Sequence, residues 1–81
     1  MGAGILSKTE MEIVKNNPNV KHVTEKKIFY KDDFKRHFIE EYTSGKGPTQ
    51  IFREAGFDTR ILGEKRIERA AARWREQLQQ L

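Results

Sequence analysis

The last stretch of the chain, EKRIERAAARWREQLQQL from Glu64 to Leu81, constrains the fold most. Wound as a helix at about 100° per residue, it gathers Ile67, Ala70, Ala71, Trp74, Leu78 and Leu81 on a single face. That arc, about 100° wide, is the one expected of a helix docked on a core. Arg66, Arg69 and Arg73 share a side turned away from it, with Lys65 at the edge. Lys65 faces Arg69 and Arg69 faces Arg73, both at i,i+4, and both pairs repel. Lys65 has Glu68 three residues on, but of the three arginines only Arg73 has such an acid, Glu76. Two readings are open. The side is an ordinary solvated face of good helix formers, or it repels itself when free because an anion normally sits against it. The second reading makes the helix a surface for nucleic-acid phosphates or bases.

The rest of the composition sets bounds on both. Eighty-one residues make one small domain, able to bury about 60–65% of its unfolded surface. Two lobes flanking a substrate cleft do not fit. A net charge of +4 and a pI near 9.6 favour an acidic partner without naming one. The absence of cysteine excludes disulfides and thiolate metal sites and fits a cytoplasmic protein. No apolar run approaches the roughly 20 residues of a membrane span, and Leu6 stands where a myristoylation signal needs Ser or Thr. No membrane partner is expected.

Residues 1–6 read as a flexible start. Ser7 opens a short helix, with Glu10 completing a capping box, and Asn16, Asn17 and Pro18 stop it. VKHVTEKKIFY, Val20 to Tyr30, is either a hairpin about Glu25 and Lys26 or extended chain. A lone two-stranded hairpin is barely stable, so the expectation is an extended strap, with residues 7–29 forming N-terminal helix and strap. Asp32 and Asp33 suit the positive end of the next helix, whose apolar face is Phe34, Phe38, Ile39 and Tyr42. Lys35 lies inside that arc, its stem snorkelling past the core or its ammonium reaching a phosphate. Pro48 opens a further short helix bearing Ile51, Phe52 and Ala55, and Gly56 turns the chain. The segment from Asp58 to Gly63 is a helical turn or a loop, and Asp58 is suited to cap it. The expected fold is a small all-α bundle.

The run YKDDFKRHFIEEYTSGKGPTQIFREAGF, continued to Trp74, resembles the homeodomain-like helix-turn-helix at the N-terminus of insertion-sequence transposases and their stand-alone relatives. The matching residues are Phe34-Lys35, Phe38, Ile39, Tyr42, Gly45, Ile51, Gly56-Phe57 and Arg73-Trp74. They cover Tyr30 to Glu76 and place a helix-turn-helix domain at 30–81. The resemblance implies a third helix lying in the major groove of double-stranded DNA, with phosphate contacts at its flanks. Two departures stand out. The pattern has a small alanine where this chain has Phe52, and its Gly-to-Trp spacing is shorter than the eighteen residues from Gly56 to Trp74. The turn is therefore expanded or the recognition helix displaced.

Catalytic chemistry finds no foothold. His22 and His37 lack metal-ligand spacing, and adjacent Asp32 and Asp33 point about 100° apart on a helix. No P-loop, nucleophile elbow or triad is present. A non-catalytic, cofactor-free DNA-binding domain is the expectation, with Lys35, Arg60, Lys65, Arg66, Arg69 and Arg73 as candidate contacts. Arg66 and Arg69 are expected at base edges and Arg73 at phosphate. The alternative is a protein-interaction module that uses the Ile67/Trp74/Leu78 face on a partner helix or a second copy. Burial of Trp74 separates the two.

Overall fold

The structure is a computed structural model that describes residues 5–79. Among these the order is α1 (Lys8–Lys15), β1 (Val20–Val23), β2 (Ile28–Tyr30), α2 (Asp32–Thr43), α3 (Pro48–Glu54), α4 (Thr59–Leu62) and α5 (Glu64–Gln79). Helices dominate, but the fold is not strictly all-α. The extended strap expected from Val20 to Tyr30 is an antiparallel hairpin, with Val20 opposite Tyr30, His22 opposite Phe29 and Val23 opposite Ile28.

The hairpin escapes the instability of an isolated one because it is held on several sides. The register breaks between Val20 and His22, and the ends of the two strands drop Val20 and Tyr30 into the core. Helix α1 packs along β1. Leu6, read from sequence as part of a flexible start, is buried instead, and its backbone N–H donates to the Glu25 carbonyl at 2.7 Å. The tip is closed by Thr24, whose Oγ1 accepts from the backbone N–H groups of Lys26 and Lys27 and whose own N–H donates to the Lys27 carbonyl. The capping box of Ser7 and Glu10 forms as its spacing predicts.

One aromatic cluster holds the helices. Phe52 is fully buried at its centre, stacked on Trp74 with rings 6.0 Å apart and 8° from parallel. Tyr30, Phe34 and Phe38 meet Phe52 edge-on or nearly so, and Phe57 leans against it. Large aromatic rings thus fill the space where the resembling pattern brings helices together over an alanine. Trp74 is 4% exposed and Ile67 fully buried, so α5 docks by the face its periodicity marks. The Leu78 side chain and Leu81 lie outside the described residues.

The link from α3 to α5 is a turn and a short helix. Gly56 has φ +92°, and a Cβ there would come within 3.4 Å of the Asn17 side-chain nitrogen. Asn17 and Asn19 both donate from their side chains to the Ala55 carbonyl, at 3.1 and 3.3 Å. The N-terminal segment therefore braces the turn after α3. Asp58 caps α4 through the Arg60 N–H, and Gly63 at φ +82° breaks the helix before α5 restarts. The long Gly56-to-Trp74 spacing is thus taken up by α4 and its glycine break.

Candidate nucleic-acid interface

Helix α5 stands at the surface with one flank toward the hairpin and the other toward α2. On the α2 side, Arg75 donates to the Tyr42 hydroxyl at 2.9 Å and lies over its ring, 5.3 Å from the centroid. On the hairpin side, Arg66, Arg69 and Arg73 line a cleft of about 210 Å³ with Lys26, Lys27, Phe29 and Tyr30. Five cationic side chains and, among the described residues, no carboxylate border it. Burial raises the Tyr30 hydroxyl above its ordinary pKa, and the charges of Arg66 and Arg73 act in the opposite direction. Tyr30 is a neutral phenol at physiological pH, as any tyrosine is, and sits within the field of two arginines.

The candidate residues divide by place. Arg69 and Arg73 are exposed, and among the described residues they and Lys65 enter no ion pair. Arg66 is half-buried, and its guanidinium donates to the Leu62 carbonyl at 3.2 Å, closing the last turn of α4. Lys35 is half-buried, 3.8 Å from the Asp32 carboxylate. It borders a neighbouring cleft of about 140 Å³ with Lys21, Arg73 and Gln77. Arg60 and Lys65 are exposed but line neither cleft. The structure thus gathers Arg66, Arg69 and Arg73, brings Lys35 to their edge through Arg73, and leaves Arg60 and Lys65 apart.

Sequence reasoning missed Lys21, Lys26 and Lys27. Their signal was present: a Glu-Lys-Lys run between two short β-branched or aromatic runs marks a basic hairpin tip once the hairpin is accepted.

The α2–α3 junction is fixed independently of this face. Lys46 Nζ lies 2.6 Å from Glu41 and 2.7 Å from Glu54, tying the end of α2 to that of α3. The hydrogen bonds that Lys46 donates to the two carboxylates raise its pKa, and the one it donates to Glu54 lowers that of Glu54.

Two linked helices, a braced glycine turn and a longer basic helix against them are the parts of a helix-turn-helix. The family described as "Transposon related HTH domain protein" has a model that matches residues 1–80. The chain belongs to that family. It is a transposase-like helix-turn-helix domain, a class that binds DNA. The match includes α1 and the hairpin as well as the helices, in keeping with the asparagine brace between them. No curated protein and no solved structure gives a significant match. No helix among the described residues is long and apolar enough to cross a membrane.

Proposed function

We propose that this domain is a non-catalytic binder of double-stranded DNA in the cytoplasm, at the nucleoid, with α5 seated in the major groove. The helix-turn-helix unit is taken as residues 30–81, with residues 7–29 as its brace. One observation carries the reading: the apolar face of α5 is consumed by the core through Ile67 and Trp74, while Arg69 and Arg73 stand open without acidic partners among the described residues. The arginines then meet an anion outside the chain. Residues near the start of a recognition helix generally enter the groove, and later ones turn toward the backbone. Arg69 accordingly reads base edges, joined by Arg66 once it exchanges the Leu62 carbonyl for DNA, and Arg73 holds phosphate. Lys65, Arg60 and Lys35 add contacts at the flanks.

The alternative, a partner helix docked on Ile67, Trp74 and Leu78, has less support because two of the three are already buried within the chain.

A salt titration on random-sequence duplex tests the reading. Phosphate contacts from Arg73, Lys65, Arg60 and Lys35 give a log–log slope of about −3 to −4, roughly 0.9 per phosphate, and further contacts steepen it. Absence of binding at about 50 mM salt, where the electrostatic attraction is still strong, overturns the proposal. Tight binding indifferent to salt would overturn it equally.

A further inference from the structure

We infer that the β-hairpin is a second DNA-contacting element, with Lys26 and Lys27 at its tip holding the phosphate backbone that runs between the hairpin and α5. The inference rests on the DNA-binding reading above and adds residues to it.

Three observations converge. The cleft between hairpin tip and α5 is bordered by Lys26, Lys27, Arg66, Arg69 and Arg73, with no acidic residue among the described residues that line it. By contrast, the cleft beside α1 mixes Lys8 and Lys15 with Glu12, and the one beyond Tyr30 mixes Lys21, Lys35 and Arg73 with Asp32. Partly neutralised surfaces of that kind are ordinary, whereas a one-signed concavity concentrates potential and draws a polyanion. The tip is also pre-shaped. Thr24 fixes the backbone at Lys26 and Lys27, and the Leu6 N–H anchors Glu25 next to them. Both lysines are exposed and enter no ion pair among the described residues. Little ordering cost remains for the backbone that presents them. Tyr30 lines the same cleft, and a neutral phenol is a hydrogen-bond donor that a phosphate oxygen can accept.

A duplex backbone fits this geometry better than a compact anion. The basic residues extend along α5 from Arg66 to Arg73, two helical turns or about 10 Å, and repeated phosphates match such a row. The lysines supply point charges and no base readout, so their share of the affinity is independent of sequence.

The experiment compares three forms of the whole chain on one random-sequence duplex: the parent, Lys26→Gln/Lys27→Gln, and Lys8→Gln/Lys15→Gln. Both double variants remove the same charge, so a general loss of attraction affects them alike. With the hairpin engaged, the parent's slope is about −5, and the Lys26/Lys27 variant returns it to about −3 to −4, a loss of roughly 1.8 for two phosphates. Between about 50 and 200 mM salt its affinity then falls roughly tenfold less than the parent's. The Lys8/Lys15 variant keeps the parent's slope. Thermal melts of all three coincide, since the substituted side chains are exposed. A parent slope that the Lys26/Lys27 change leaves unaltered, or equal losses in both double variants, overturns the hairpin contact while the DNA-binding reading stands. Stronger displacement by a charge-matched polyglutamate than by the duplex assigns the cleft to an acidic protein segment and overturns it too. A parent that binds no duplex overturns both.

Discussion

Replacing Phe52 by alanine restores the small residue of the transposase-like pattern, and the structure predicts that this unfolds much of the protein. Phe52 has no exposed surface and touches the rings of Tyr30, Phe34, Phe38, Phe57 and Trp74 at centroid distances of 5.3–6.0 Å. Truncating a buried phenylalanine costs about 3–5 kcal/mol, from lost transfer energy and the cavity left behind. Aromatic pairs contribute roughly 0.5–1.5 kcal/mol beyond area, and five at one ring place this site at the upper end. Relaxation is limited because the neighbours come from the hairpin, α2, the α3–α4 link and α5 and cannot close in together. A domain of this length holds roughly 4–12 kcal/mol in total, and the loss lowers its melting temperature by about 12 °C or more. Circular dichroism melts of Phe52→Ala, with Phe52→Leu as a milder step, read this directly. Phe52→Leu keeps more of the volume while losing the ring contacts, and should cost less than Phe52→Ala. A Phe52→Ala melt within a few degrees of the parent refutes the account of the core.

Single contacts give the other expectations. Trp74→Ala removes the stacking partner of Phe52 and costs about 3–5 kcal/mol; a parent-like cooperative melt would return the Ile67/Trp74 face to the interaction reading. The Lys46 clamp makes stability pH-dependent. Glu54 has a folded-state pKa below its ordinary 4.5, so its contribution is present above that value and fades as pH falls through the lowered one. The raised Lys46 contributes below its ordinary 10.5 and loses that contribution as pH climbs past it. Urea midpoints of the parent should therefore approach those of Lys46→Met in acid, and a constant gap from about pH 7 to 2 would remove the clamp. Arg69→Ala should lose about 1–3 kcal/mol of binding and flatten preference at one or two base positions. Arg73→Ala should weaken all sites alike and reduce the salt slope by roughly one; selected-site sequencing of each variant distinguishes the roles.

The helices were legible because their signals are local. Ser7 and Glu10, the Ile67/Ala70/Ala71/Trp74 period and the glycine after α3 each act within a turn or two of chain, and each stands where its spacing predicts. The hairpin was not, because its stability comes from elsewhere. Val20 and Tyr30 reach a core built by residues far along the chain, and Leu6 is held by Glu25. The same holds for Asn17, legible as a helix stop, whose bond to Ala55 spans 38 positions. At the candidate interface, the arginine row comes from helical spacing alone. Its pairing with Lys26 and Lys27 depends on which way the hairpin folds over, a tertiary fact.

If the hairpin-facing and outer sides of α5 meet DNA, amide chemical-shift mapping of the labelled domain with a short duplex reports the contact residue by residue. Titrated at about 50 mM salt, where phosphate attraction is strong, the largest shifts should fall on Lys65, Arg66, Arg69 and Arg73, with a second group at Lys26 and Lys27. Resonances of α1 and of the buried residues around Phe52 should move little. Shifts concentrated on α1, with α5 unmoved at saturation, would contradict the account.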